Sequence, residues 1–226
     1  GVILNRLSNL WSQNIRQTNS RRWVVTKYRP AALVQEGISQ LTGCSDSPRL
    51  DAEVLLRAAC GINRTALARD PDQSIDAQSA NAFFSFLKRR CRAEPIAYIL
   101  GRKEFWSLEI ELYDATLVPR PETEVLVETT LDAIPPDTAV DIADLGTGSG
   151  AIALALAIER PLAHITATDI SGAALSKARE NAKRLGLDIQ FAEGDWFAPL
   201  KGRRFDAIVS NPPYVRRNDP ALETTP

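Results

Sequence analysis

The 226-residue chain contains no methionine, one histidine and three cysteines. Cys44, Cys60 and Cys91 are odd in number and widely spaced, so they form neither a disulfide framework nor a C-x-x-C metal site. That usage points to a reducing compartment, and the expected location is the cytoplasm. No metal ligand set is expected. The sole histidine, His164, falls at the start of a strand-like run and is read as structural. Long hydrophobic runs are also missing. The longest, Ala151 to Ile158, is far short of the roughly 20 residues that a spanning helix needs, so no membrane segment is expected. Net charge is nearly absent at −1, which argues against adhesion of the whole chain to nucleic acid or an anionic membrane. With 44% apolar and 24% charged residues, disordered, collagen-like and coiled-coil readings drop out.

One absence is local. Residues 1–35 carry no acid and six basic residues, leaving 21 basic against 28 acidic residues over the remaining 191, a net of −7. Residues 1–25 therefore read as a basic leader outside the fold, either appended or an organelle transit peptide. The chain begins at Gly1 without a methionine and stops at Pro226 soon after its last motif, so it is expected to be incomplete.

What is present divides by periodicity. From Tyr28 to Arg92 the pattern is helical. Ser47-Pro48 supplies an N-cap and a first-turn proline, Leu50, Val54, Leu55 and Ala58 follow at helical spacing, and Gly61 stops the run. Asp76 caps a second helix with Ala80, Phe83, Phe84 and Leu87 on one face, read as core. Residues 26–93 are thus a small all-helical domain. Glu104 to Tyr113 alternates as β-rich sequence ahead of Val118-Pro119-Arg120-Pro121, so residues 94–120 read as a hairpin linker.

Residues 121–226 have α/β periodicity: helix Glu122 to Ile134, strand Ala139 to Leu145, helix Ala151 to Glu159, strand Ala163 to Thr168, helix Ser171 to Leu185, then strands Asp188 to Ala192 and Phe205 to Ser210. Such alternation predicts a parallel sheet with ligands at the strands' carboxyl ends. Only four strands fit before the chain ends.

Each strand end carries chemistry. Asp144-Leu145-Gly146-Thr147-Gly148-Ser149-Gly150 joins a strand to a helix, where glycines allow close backbone approach and the helix start presents unpaired N–H groups. The G-x-G-x-G spacing and the lack of a following Gly-Lys-Ser/Thr disfavour dinucleotide and P-loop readings; a plain tight turn is the alternative. Asp169 ends the next strand, where a carboxylate can accept both hydroxyls of a ribose, or merely cap the following helix. Gly194-Asp195-Trp196 ends the third with an acid and a flat ring, the alternative being a core tryptophan. Together these describe an adenosine-shaped pocket without a phosphate-binding lysine, which favours S-adenosylmethionine.

The fourth strand ends in Asn211-Pro212-Pro213-Tyr214. Paired prolines break the ladder and expose carbonyls. The Asn211 side-chain oxygen and the Pro212 carbonyl can each accept one hydrogen of a planar NH₂ group, against which Tyr214 can stack. Such a cradle suits methylation of an amide or aryl amine, whose conjugated nitrogen needs orientation more than a strong base. A loop that only ends the strand is the alternative.

The run Ala93-Glu94-Pro95-Ile96-Ala97-Tyr98-Ile99-Leu100-Gly101, with Glu104-Phe105-Trp106, Pro119-Arg120-Pro121-Glu122-Thr123-Glu124, the glycine turn and Asn211-Pro212-Pro213-Tyr214, closely resembles the bacterial peptide chain release factor N5-glutamine methyltransferases. The likeness runs from about Lys27 to Leu222. It implies a Rossmann-like class I S-adenosylmethionine-dependent methyltransferase sheet preceded by the helical domain and hairpin linker. It also implies methylation of the glutamine amide in the Gly-Gly-Gln loop of class 1 release factors, with the helical domain holding the factor. Carried over by position, cofactor-binding residues fall on Gly146, Thr147, Gly148, Ser149, Gly150, Asp169, Trp196 and Asn211. Substrate-binding residues fall on Asn211, Pro212, Pro213 and Tyr214, with Asn211, Pro212 and Tyr214 catalytic, and residues 119–124 would line the cleft. Family members continue with three more strands, so the sheet is expected to be cut after its fourth, leaving an exposed apolar edge. A monomer is expected.

Competing readings are a glutamine methyltransferase for a ribosomal protein, a DNA or RNA adenine methyltransferase, and a non-catalytic binding fragment. Residues 121–226 hold 10 basic and 16 acidic residues, which disfavours direct nucleic-acid contact.

Overall fold

In a computed structural model, the structure describes residues 28–212 except 64, 66–68, 71–72 and 113–116. The basic leader, residues 1–25, and Pro213 and Tyr214 lie outside the described residues. The chain forms two compact units, residues 1–99 and 100–226.

The first unit is helical. Helices α1 (Pro30–Leu41) and α2 (Pro48–Cys60) each open on a proline, whose missing N–H costs nothing in a first turn. Helix α3 (Ala77–Arg90) starts where Asp76 accepts a hydrogen bond from the Ser79 N–H, and Gly61 closes α2 in the left-handed conformation. Leu33, Leu41, Leu55, Leu56, Phe83 and Leu87 are buried between them. Gly37 permits this approach, because a Cβ there would stand 2.8 Å from Phe83 Cζ and 2.9 Å from Ala52 Cβ.

Two readings of α2 change. Leu50, placed on the apolar face, is 59% exposed, whereas Asp51 is buried. The inward face runs through Asp51, Ala52, Leu55 and Leu56, one step round from the apolar count. A carboxylate can occupy that face because it is saturated with partners: the Ser45 hydroxyl donates at 2.6 Å, the Ser47 hydroxyl at 3.2 Å and Arg90 Nε at 2.7 Å. Ser47 stands at the N-cap, but its hydroxyl serves Asp51 rather than a helix N–H. The short helix α4 (Ile96–Leu100) begins in this unit, where Arg89 pairs with Glu94 and donates to the Tyr98 and Ile99 carbonyls.

The second unit opens with an antiparallel hairpin, β1 (Arg102–Phe105) and β2 (Leu108–Glu111). Its turn is Trp106-Ser107 with φ of 52° and 58°, the two-residue geometry that glycine or asparagine usually fills. Two carboxylates hold it: Glu124 Oε1 accepts from the Trp106 N–H at 2.9 Å, and Glu159 Oε1 accepts from the indole N–H at 2.8 Å. On the other arm, buried Asn181 acts as a surrogate strand. Its oxygen accepts from the Glu111 N–H at 3.0 Å, and its amide donates to the Glu111 carbonyl at 2.9 Å and the Ser149 carbonyl at 3.0 Å.

After helix α5 (Thr123–Ala133) come β3 (Asp141–Leu145), α6 (Ala151–Glu159), β4 (His164–Asp169), α7 (Gly172–Leu185), β5 (Gln190–Glu193), a 3₁₀ turn (Ala198–Leu200) and β6 (Ala207–Ser210). The strands are parallel in the order β5-β4-β3-β6. Ile142, Ala143 and Leu145 are buried, as is α6 from Ala151 to Leu156, which explains an apolar pattern all round that helix. The chain steps from β3 to β5 in one direction and returns to β6 on the other side of β3. Such a reversal opens a crevice at the strands' carboxyl ends. Strand β6 ends the described order, and Ile208 on it is 51% exposed. No helix among the described residues is long and apolar enough to cross a membrane.

Candidate active site

The turn after β3 is built to leave backbone bare. The Gly146 and Thr147 N–H groups both donate to the Thr168 carbonyl of β4 at 2.9 Å, so the turn folds over the neighbouring strand end. Gly146 and Gly148 have φ of 72° and 58°, and nothing lies within 4 Å of where a Cβ would stand. Side chains are disfavoured there by conformation, and the open face allows a ligand to touch the main chain.

Asp169, at the end of β4, grips that turn. Its Oδ2 accepts from the Gly148 N–H and its Oδ1 from the Ser171 N–H, both at 2.9 Å. A carboxylate has about four lone-pair sites, so two such bonds leave acceptor capacity for ligand hydroxyls. Asp144 lies deeper and is fully buried. Its Oδ2 accepts from the Thr147 hydroxyl at 2.6 Å, while Oδ1 lacks a partner at full hydrogen-bond geometry. Burial pushes its carboxyl up to about 6, against the pull of the Thr147 hydroxyl and the Ala153 N–H and with help from the charge of Asp169.

Trp196 follows β5 with φ of 46° and is 53% exposed, so it is a wall residue rather than a core one. Asn211 follows β6, and its Nδ2 donates to Thr123 Oγ1 at 2.9 Å. Ser210 ties β6 to β3 by donating to the Leu145 carbonyl at 2.8 Å.

Gly146, Gly148, Asp169, Trp196, Asn211 and Pro212 share one cavity of about 270 Å³, with Leu117, Ile170 and Ala174 as apolar wall. Thr147, Ser149 and Gly150 stand behind it: Thr147 holds Asp144, the Ser149 carbonyl takes the Asn181 amide, and Gly150 opens α6. Pro213 and Tyr214 lie outside the described residues. His164 is exposed, with Nδ1 3.5 Å from Asp141 Oδ1, and lines a separate hollow of about 440 Å³ that holds none of the predicted site residues. Sequence reasoning missed Thr123 as a partner of Asn211 and Asn181 as a strap. The first lay inside the Pro-Arg-Pro-Glu-Thr-Glu run; the second had no local signal.

The features suit a nucleoside carrying a cationic chain. Asp169 offers hydroxyl acceptors, Trp196 a ring face, the glycine turn a bare backbone, and the carboxylates of Asp169 and Asp195 both line the cavity. A parallel sheet with this strand order and these strand ends is the Rossmann-like fold of S-adenosylmethionine-dependent methyltransferases, and the Methyltransferase small domain family matches residues 121–225. The PrmC N-terminal domain family matches residues 32–101.

The chain is 48% identical over 185 residues to the release factor glutamine methyltransferase of Coxiella burnetii, covering 81% of this chain and 67% of that protein. The Xylella fastidiosa (strain 9a5c) enzyme of that name is 46% identical over 187 residues, covering 82% and 68%. That of Burkholderia pseudomallei is 45% identical over 191 residues, covering 81% and 67%. The chain therefore belongs to the release factor glutamine methyltransferase family. It spans about two thirds of the length of these relatives.

Proposed function

We propose that this protein transfers a methyl group from S-adenosylmethionine to the side-chain amide nitrogen of the glutamine in the Gly-Gly-Gln motif of a class 1 release factor. The observation that carries the reading is one cavity shared by the glycine turn, Asp169 and Trp196 on one side and Asn211-Pro212 on the other. When bound, the cofactor supplies a methyl group on an electrophilic sulfonium.

The chain's own residues hold and orient. Asp169 accepts ribose hydroxyls while keeping the glycine turn closed, and Trp196 covers the base. Asn211 Oδ1 and the Pro212 carbonyl accept the two amide hydrogens, directing the nitrogen lone pair out of conjugation as positive charge develops. Pro213 and Tyr214 complete this cradle by the family resemblance. The amide nitrogen is cationic and strongly acidic at the moment the methyl arrives, so it loses one proton to solvent water to give the neutral N-methyl amide, and no histidine is required. Residues 26–93 hold the release factor, and residues 119–124 line the approach. The protein acts as a monomer in the cytoplasm.

The test is transfer of labelled methyl to a purified release factor carrying Gln or Ala at the motif position. Label is expected on the Gln factor alone; equal labelling of both would sink the reading. In the same assay Asn211→Ala should lower transfer by about 100-fold or more while shifting cofactor affinity only a few-fold.

A further inference from the structure

Asn211 is held from a distance in sequence. Its Nδ2 donates to the hydroxyl of Thr123, 88 residues earlier, at 2.9 Å. Thr123 is the first residue of α5 and is 7% exposed. Its own N–H donates to the Arg120 carbonyl at 3.0 Å, so a closed turn fixes the hydroxyl before the helix begins. The next two residues are fixed as well, since the Glu124 carboxylate accepts the Trp106 N–H and the Val125 N–H donates to the Glu122 carbonyl.

An asparagine amide has two unlike ends, a donor NH₂ and an acceptor oxygen, and rotation about its last bond exchanges them. For the proposed reaction the exchange matters. A substrate amide presenting N–H hydrogens needs the oxygen, and the NH₂ end would meet it donor to donor. With Nδ2 turned to Thr123, Oδ1 is turned the other way.

We infer that Thr123 is a positioning residue for methyl transfer: its hydroxyl accepts from Asn211 Nδ2 and so sets the amide orientation that presents Oδ1 to the substrate NH₂. The inference deepens the amide-cradle reading above and rests on it. Thr123 itself touches no reacting atom, and its action runs through Asn211. It also gives the Pro-Arg-Pro-Glu-Thr-Glu run a task beyond starting a helix, because the turn that opens α5 is the clamp on the strand-end asparagine.

The test uses the full chain and the Gln release factor. Thr123→Val keeps the shape and removes the hydroxyl; Thr123→Ser keeps the hydroxyl. Single-turnover methyl transfer, release-factor KM, S-adenosylmethionine affinity and melting temperature are measured for both, and for Thr123→Val in an Asn211→Ala background. Thr123→Val is expected to slow transfer about 10- to 100-fold, with KM, cofactor affinity and melting temperature nearly unchanged. Thr123→Ser should recover transfer to within about threefold, and in the Asn211→Ala background the valine change should add less than about twofold. Wild-type transfer by Thr123→Val, or the same fold loss in the Asn211→Ala background, overturns the inference while leaving the glutamine reading intact. A valine loss that serine does not recover, accompanied by a lower melting temperature, assigns Thr123 a structural role and overturns it too. A wild-type chain that binds cofactor but labels no glutamine overturns the underlying reading, and the inference falls with it.

Discussion

Among the described residues each unit buries one aspartate, and the two are treated in opposite ways. Asp51 in the helical unit accepts from two hydroxyls and a guanidinium, so both of its oxygens are served. Burial would raise its carboxyl, but the Ser45, Arg90 and Ser47 bonds together outweigh it and hold the group below the usual carboxylate range. Asp144 in the sheet unit is buried more completely and has one side-chain partner, with Oδ1 lacking a partner at full hydrogen-bond geometry. Burial wins there, and the carboxyl rises to about 6. A closed polar cluster stabilises the folded chain. An open one costs stability and persists where a ligand is to arrive. The contrast extends to neighbours: Arg89 and Glu94 close on each other in the first unit, whereas Asp169 keeps acceptor capacity at the mouth of a cavity in the second.

The largest effect is expected from breaking the closed side. Arg90→Ala leaves Asp51 buried without its cation, a loss worth about 3 kcal/mol for a buried pair. Urea unfolding near neutral pH should show it. Because Asp51 is held below its unfolded value, this contribution is fully present above the ordinary carboxylate range and disappears as pH falls through the lowered folded value, so the gap between wild type and Arg90→Ala should narrow in acid. A loss under about 1 kcal/mol would mean that the hydroxyls alone satisfy Asp51.

Asp144→Asn probes the open side with the opposite sign. A carboxyl raised to about 6 keeps its proton in the folded chain while the unfolded chain has already lost it. Wild-type stability should therefore fall as pH rises from about 4 to about 6 and then level off, a change on the order of 2 to 3 kcal/mol from this group. The asparagine variant lacks the titration, so the difference between the two proteins should follow that window. Parallel pH curves for the two would show that Asp144 is not the group responsible.

Why one aspartate was readable and the other was not follows from how each is placed. Asp144 lies in the glycine turn, whose strand-to-helix setting is local, and the same is true of Asp76 and Gly61 as caps and of the apolar α6. Nothing in the helical pattern singles out Asp51, because its partner Arg90 is 39 positions away. The Asn181 fork to Glu111 spans 70 positions, and Thr123 reaches Asn211 over 88. Local periodicity carries no trace of such pairs, since what selects them is the meeting of elements after folding. The hairpin turn was hidden differently: Trp106-Ser107 is not a turn dipeptide, and Glu124 and Glu159 hold its positive φ in place of glycine. All four strand-end motifs could be recognised singly, whereas the order β5-β4-β3-β6, which brings the first and last beside each other, could not.

The smallest effect, and the one that bears most directly on the open side, comes from Asp169. If its two oxygens serve only to close the glycine turn and hold the Ser171 N–H ahead of α7, Asp169→Ala should cost stability and leave ligand affinity alone. If they also receive ribose hydroxyls, the alanine variant loses two charge-assisted acceptors from the bound state as well. Calorimetric titration with S-adenosylmethionine is expected to show about tenfold weaker binding, about 1.4 kcal/mol, well short of what the arginine loss does to folding. The size is modest because the Gly146 and Gly148 backbone and the Trp196 ring remain in the wall. An affinity within twofold of wild type, alongside a lowered melting temperature, would move Asp169 to the closed class and leave the bare glycine backbone and Trp196 to account for cofactor binding.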